Sequence, residues 1–187
     1  MKKIQFIFLL LTGLAASGFA QNRLNLGAGY FGQNITSPGA TLQLEFEQSI
    51  HEGLSLPLRM EAGFYNYHND YNVLTIDLNR GFRKYLSNGL FVEQTFGAGV
   101  MLSYYRDHLW HEDEHRKVTY FSKAPVIDFM PSATLGGGFN FSSKASASNI
   151  LWVRTKISWQ LFSRELSMPF FGLMVGFTHT FKTFKNQ

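Results

Sequence analysis

Large apolar side chains recur at every second position in eight strand-length segments of this chain. In the segment that begins at Leu90, one parity reads Leu90, Val92, Phe96, Ala98, Val100, Leu102 and Tyr104, interrupted by Gln94. The other parity reads Glu93, Thr95, Gly97, Gly99, Met101 and Ser103. A period of two is that of a β-strand whose two faces lie in media of different polarity. The pattern predicts strands over residues 23–31, 39–48, 55–65, 72–85, 89–105, 125–141, 150–163 and 169–183.

The glycines indicate which face lies inside. Those on the polar parity are Gly27, Gly29, Gly63, Gly81, Gly97, Gly99, Gly136, Gly138, Gly172 and Gly176, and only Gly137 lies on the apolar one. An eight-stranded barrel has an interior just wide enough for side chains, so small residues there make room for long charged ones. A soluble lipocalin-like barrel also alternates, with its apolar face inward, but its exterior has no need of glycine. We therefore predict a charged interior and an apolar, lipid-facing exterior.

Aromatic residues and connections agree with a membrane barrel. Aromatic side chains near strand ends, as in a membrane girdle, are Tyr30, Phe46, Phe64, Tyr85, Phe91, Tyr104, Phe129, Phe141, Trp159 and Phe181. Ordinary β-propensity is the alternative explanation. Connections at one end are longer, above all Arg106 to Ala124, and this asymmetry is typical of transmembrane barrels. We predict an all-β, eight-stranded antiparallel up-and-down transmembrane barrel with both termini in the periplasm.

Composition narrows the class of protein. The chain has 187 residues and no cysteine, so no disulfide framework supports it. Residues 1–20 combine a basic start, a short apolar run and small residues before Gln21, which predicts a signal peptide followed by one domain over 21–187. Without Lys2 and Lys3, 15 basic and 13 acidic residues remain, a net charge of +2. This balance gives no reason to expect nucleic acid as a partner.

With these features the chain resembles the small eight-stranded outer-membrane β-barrels of Gram-negative bacteria, the OmpA/OmpX-like group. The resemblance rests on the signal-like start, the strand number, the alternation and the aromatic-rich final strand from Phe170 to Phe181. Such barrels usually end on an aromatic residue, whereas here Lys185-Asn186-Gln187 follows Phe184. The resemblance implies an outer-membrane location among lipid and lipopolysaccharide. It does not fix function, because adhesins, structural proteins, small-solute passages and lipid-modifying enzymes share this fold.

Charged residues on the polar parity form the first candidate site. They are the acids Glu45, Glu47, Glu61, Asp77, Glu93 and Asp128, and the bases Arg59, Arg83, Arg154 and Lys156. Opposite charges in a narrow lumen are expected to pair, because an unpaired buried charge is very costly. We predict a lumen filled by salt bridges, with a narrow polar pore as the alternative.

Histidines supply two weaker candidates. His111-Glu112-Asp113-Glu114-His115 matches the H-E-x-x-H zinc motif, and His108 lies nearby. That motif needs a packed helix, whereas this one lies in a polar loop, so we predict no metal centre and keep His108, His111 and His115 as weak candidates. His179 could serve a lipid A-modifying enzyme, yet no serine adjoins it. No cofactor is implied.

The leading hypothesis is a non-enzymatic outer-membrane barrel with a structural, binding or accessory-subunit role, the last in complex with a protein partner. A narrow porin-like channel for small solutes is the alternative, and a lipid A-modifying enzyme is the second.

The first prediction concerns solubility. Because the apolar parity is expected to face acyl chains, residues 21–187 should need detergent or lipid to stay folded and monodisperse. Size-exclusion chromatography with circular dichroism, with and without detergent, measures this. A folded monomer in plain buffer would contradict the predicted orientation of the two faces.

Overall fold

The structure is a computed structural model that describes residues 22–33, 37–67, 71–105, 110–112, 118–120, 125–141, 149–161 and 168–184. The predicted signal peptide lies outside the described residues. The strands are β1 (Asn22–Gln33), β2 (Ser37–His51), β3 (Leu54–Tyr67), β4 (Tyr71–Tyr85), β5 (Leu90–Tyr105), β6 (Trp110–Glu112), β7 (Val118–Tyr120), β8 (Val126–Asn140), β9 (Asn149–Gln160) and β10 (Met168–Phe184). Within these ranges no helix is long and apolar enough to cross a membrane.

Eight of the strands close into one antiparallel barrel in the order β1-β10-β9-β8-β5-β4-β3-β2. The sheet has no free edge because β1 pairs with β2 on one side and with β10 on the other. The register sets Asn22 opposite Phe184, so the first and last strands begin and end at the same rim. The predicted fold class is confirmed, and every predicted strand boundary lies within three residues of the observed one.

The two rims differ. We call the rim that holds Asn22 and Phe184 the terminal end, and the opposite rim the loop end. At the terminal end, Gly53 and Gly89 have φ values of 71° and 87°, which L side chains rarely adopt. The Tyr85 amide donates to the Gly53 carbonyl at 2.7 Å, and the Asn140 amide donates to the Gly89 carbonyl at 2.9 Å. The β2–β3 and β4–β5 turns are thereby tied to their neighbouring strands.

The predicted long loop contains a small second sheet, in which β6 pairs with β7. His111 and Glu112 therefore lie in extended backbone. The helical spacing that the zinc motif needs does not form at these two positions, because residues four apart share a face on a helix but are far apart along a strand. His108 and His115 lie outside the described residues.

Burial alternates along the barrel strands as predicted. Inward-facing side chains define the lumen and include Glu45 and Arg59, which are 1% and 0% exposed. Outward-facing side chains define the outer wall and include Leu42 and Phe82, which are 63% and 62% exposed. Large exposed apolar residues occur on all eight barrel strands, far more than a soluble surface carries. The barrel is therefore built to cross a membrane, with apolar residues outward and charges inward.

Two of the ten aromatic residues assigned to the girdle lie in the lumen, so that assignment was wrong for them. The Tyr85 hydroxyl donates to Glu47 Oε1 at 2.8 Å, and Phe91 is 2% exposed and packs against Tyr85 with ring centroids 5.5 Å apart. Both residues share the parity of lumen residues on their own strands, and this parity decides their direction. The other eight aromatic residues are exposed on the outer wall or just beyond its strands.

The second prediction concerns lumen space. A Cβ at Gly27 would lie 2.6 Å from Gln43 Nε2 and 2.6 Å from Thr178 Oγ1, so Gly27→Val should destabilise the barrel by roughly 1–3 kcal/mol through overpacking. Ala28→Val is the matched control, since Ala28 faces outward. The midpoint of urea unfolding in lipid vesicles measures the difference. Equal midpoints for the two variants would contradict the tight packing of the lumen.

Candidate functional site in the barrel lumen

The structure brings the ten predicted charged residues to the lumen, where each is no more than 4% exposed. They come from six strands because each of these strands turns alternate residues inward. Nine of them join in one network of salt bridges. The network has a centre built on arginines and an extension built on lysine.

Glu45 and Glu93 form the acidic centre. Arg83 makes two parallel hydrogen bonds to Glu45, from Nη1 to Oε1 and from Nη2 to Oε2, each 2.8 Å long. Arg83 Nη2 is also 2.6 Å from Glu93 Oε2, and Arg59 Nη1 is 3.1 Å from Glu93 Oε1. Arg154 Nε donates to the same oxygen of Glu93. Three guanidinium groups thus converge on two carboxylates through charge-assisted hydrogen bonds, which are shorter and stronger than those between neutral groups.

Lys156 extends the network towards the loop end. Its Nζ is 3.0 Å from Glu61 Oε1 and 2.9 Å from Asp77 Oδ2. Arg59 Nε lies 3.7 Å from Glu61 Oε2 and so links this pair to the arginine cluster. At the terminal end, Glu47 lies 3.4 Å from Arg83 and also accepts from Ser55 Oγ at 2.5 Å. The charges are thereby connected along most of the lumen.

Asp128 stands apart from the network, contrary to the expectation that it would pair. No lysine or arginine of the described residues lies within 4.0 Å of it, although it is 1% exposed. Its Oδ2 accepts from Gln160 Nε2 at 2.5 Å, while its Oδ1 has no hydrogen-bond partner. The register explains this, because Asp128 lies opposite Met101, near the loop end.

Neutral lumen residues that the sequence analysis did not single out complete the cluster. Trp152 is fully buried, and its ring centroid lies 3.9 Å from the guanidinium carbon of Arg154. Trp152 Nε1 donates to Thr178 Oγ1 at 2.8 Å, and Gln43 accepts from Arg154 Nη1 at 2.6 Å. Parity could have revealed Trp152, because it shares the inward parity of Arg154 and lies between two outward residues.

Apolar side chains pack against the charges inside the lumen, in one cluster at the loop end and one beside the arginines. The cluster at the loop end consists of Tyr65, Val73, Met101 and Met130, with Phe31 and Tyr71 packed against it. The cluster towards the terminal end consists of Phe91, Ile150, Trp152 and Met174, with Phe31 and Tyr85 packed against it. The cavity beside Lys156 is only about 10 Å³, whereas an open cup of about 540 Å³ lies at the terminal end, beside Glu47 and Tyr85. The lumen is therefore filled between its two rims by ionic and apolar side chains together.

His179 lies on the outer wall near the terminal end. Its Nδ1 is 2.7 Å from Asn149 Oδ1, and its ring meets Phe181 edge to face at 5.3 Å. Thr178 and Thr180 are each 2% exposed and point into the lumen, away from His179. In the described part of the chain, no group of three or more metal-ligating side chains is placed to hold an ion.

Comparisons with known proteins establish the fold and nothing finer. No family model and no curated protein matches the chain. The solved structure of Ail from Yersinia pestis is similar at a TM-score of 0.54 and 8% identity, covering 88% of this chain and 100% of that one. The structure of Ail in complex with the heparin analogue sucrose octasulfate is similar at a TM-score of 0.55 and 9% identity, covering 87% of this chain and 100% of that one. A major outer membrane protein from Thermus thermophilus is similar at a TM-score of 0.50 and 12% identity, covering 88% of this chain and 100% of that one. The chain thus has the fold of outer-membrane β-barrels, which supports the predicted location.

The third prediction concerns the network. Glu93→Gln removes the acid that three arginines share, and the free energy of unfolding should fall by roughly 3–5 kcal/mol because buried cations lose their partner. Asp128→Asn is the matched control and should change it by less than about 1 kcal/mol, since Asp128 lies outside the network. Urea unfolding in lipid vesicles measures both. A similar loss in the two variants would contradict the special role of Glu93.

Proposed function

We propose that this chain is a non-enzymatic outer-membrane barrel that is closed to solutes and has a structural, binding or accessory-subunit role. The observation that carries the proposal is the filled lumen. Its largest fully buried side chains include Trp152, Arg59, Arg83, Arg154 and Phe91, which lie at the centre of the salt-bridge network or directly beside it.

The network opposes a channel function. Its ion pairs connect β2, β3, β4, β5 and β9, so they brace the lumen from five of the eight barrel strands. A solute could pass only by separating buried charges, and breaking one such pair costs roughly 3–5 kcal/mol. The apolar clusters add a second barrier, because ions and water are poorly accommodated among Met101, Met130 and Tyr65. The geometry thus favours a closed barrel over the narrow porin-like alternative.

The outer wall gives little support to a lipid A-modifying enzyme. His179 is bonded to an amide oxygen of Asn149 rather than to a carboxylate or a serine, so the acid–base pairing of a hydrolase is missing at this position. It also lies near the terminal end, which we propose to be periplasmic, whereas lipopolysaccharide occupies the outer leaflet. No observation favours this class over a non-enzymatic barrel.

A closed lumen leaves the exterior as the place where the protein would bind others. The available surfaces are the outer wall within the membrane and the two ends of the barrel, the loop end and the terminal end with its open cup. Contact with lipid and lipopolysaccharide, and with a protein partner in an outer-membrane complex, belongs to these surfaces.

The fourth prediction tests the closed lumen. In planar bilayers the wild-type barrel should give no steady conductance. A Trp152→Ala/Arg154→Ala variant should give measurable openings, because it removes two of the largest buried side chains. Val153→Ala is the matched control, because Val153 faces outward, and it should remain closed. Steady openings in the wild type that change with Arg154→Ala but not with Val153→Ala would favour the channel instead.

A further inference from the structure

Among the side chains that the structure describes, the charged groups of the outer wall occur on one strand, β4. Among outward-facing barrel residues whose side chains the structure describes, the only lysine, arginine or carboxylate residues are Arg80 and Lys84. Both lie on β4, four residues apart, on the same face of the strand. Between them Phe82 is 62% exposed. One short section of an otherwise uncharged wall is therefore distinctly basic.

Neither cation has a carboxylate of the described residues within 4.0 Å. The carboxylates of the barrel strands whose side chains are described point into the lumen, and no salt bridge of the described residues involves Arg80 or Lys84. An arginine or lysine on the lipid face costs roughly 2–4 kcal/mol at the bilayer midplane and little near the interface. An unpaired Arg80 is therefore tolerated only if its guanidinium reaches the headgroup region or meets an anion there.

The position along β4 satisfies that condition. The strand ends at Tyr85 at the terminal end, so Lys84 lies at the rim and Arg80 about 10 Å above it, taking the usual rise and tilt of barrel strands. Arginine can lay its aliphatic stem on an apolar surface and extend its head towards the interface. The guanidinium of Arg80 and the ammonium of Lys84 can thus both contact a single anionic group that lies beside Phe82.

The surroundings fit a lipid. In the barrel register Arg80 lies between Leu58 and Phe96, and Phe82 lies opposite Gln94. Phe96 is 59% exposed and offers an apolar surface for an acyl chain, while the amide of Gln94 can donate to a headgroup oxygen. Guanidinium binds phosphate through two parallel hydrogen bonds, and an ammonium adds a second positive charge.

We infer that Arg80 and Lys84 form a binding site for the phosphate of an anionic phospholipid in the leaflet at the terminal end. The inference rests on the proposed membrane placement and adds a specific ligand class to the outer wall. An anionic lipid is favoured over an acidic protein segment because the neighbouring wall is apolar and exposed over several residues. An acyl chain covers such a surface without needing further polar partners.

Native mass spectrometry of the folded, detergent-purified chain tests the site, with phosphatidylglycerol and phosphatidylcholine as probes. The wild type should bind phosphatidylglycerol preferentially. Arg80→Gln/Lys84→Gln should bind it about 30-fold more weakly, at about fivefold for each charge removed near a membrane surface. Arg80→Lys/Lys84→Arg should keep most of the preference. Arg23→Gln is the matched control, because it removes one positive charge at the same rim but on the lumen side.

Any of four outcomes would overturn the inference. One is equal binding of phosphatidylglycerol by the wild type and the double glutamine variant. Another is a loss of about fivefold in Arg23→Gln, the loss expected if any one positive charge at this rim contributes equally. The third is displacement of the lipid by millimolar inorganic phosphate, and the fourth is a co-purifying protein that is lost only in the double variant. Either of these two assigns the site to another occupant. Failure of the membrane proposal would look different, because the chain would then fold without detergent.

Discussion

Closure of the sheet is the constraint on which the rest of this structure depends. Hydrocarbon offers no partner to a backbone amide or carbonyl, so every strand must be paired on both sides. The pairing of β1 with β10 meets that requirement with eight strands. Eight strands fix a narrow interior, and the narrow interior dictates which side chains it can hold.

The lumen shows how a small space accommodates large charged groups. Glycines such as Gly27 and Gly136 leave room beside Gln43 and Arg154, and a Cβ at Gly136 would lie 2.6 Å from Arg154 Cγ. The charges then neutralise one another at close range, with Glu93 serving three arginines at once. Apolar residues packed beside the charges, such as Phe91 against Arg83 and Trp152 against Arg154, shield them from water and strengthen the electrostatic interactions. Ionic and apolar packing in this lumen are thus complementary parts of one closed core.

The outer wall is apolar where the lumen is charged, and its few charged residues indicate where it could bind a ligand. An almost wholly apolar wall indicates that the barrel lies in a lipid bilayer, but it does not indicate which lipid or protein binds to it. Arg80 and Lys84 are the exceptions among its described side chains, in the part of β4 nearest the terminal end, where a lipid phosphate would balance their charge. With the lumen closed, functional contacts of such a barrel arise on its outer surfaces. The fold alone does not specify these contacts, because barrels of different function share it.

The sequence by itself determined the direction of nearly every strand residue. Inward or outward orientation is a local property with a period of two, so Glu45, Arg154 and Leu42 were assigned correctly without any knowledge of their neighbours. The same alternation predicts that Trp152, Tyr85 and Phe91 point into the lumen. Tyr85 and Phe91 lie close to strand ends, where the girdle pattern and the alternation predict opposite directions, and the alternation prevails.

Only the tertiary structure decided which residues meet. Arg154 and Gln43 are 111 positions apart in sequence and become neighbours across the lumen through the stagger and closure of the barrel. The same geometry leaves Asp128 without a lysine or arginine partner in the described part of the chain, although it points into the lumen like the paired acids. Parity is set by successive residues along one strand, whereas contacts across the lumen depend on the relative register of all eight. The alternation could therefore predict the composition of the interior but not its bonds.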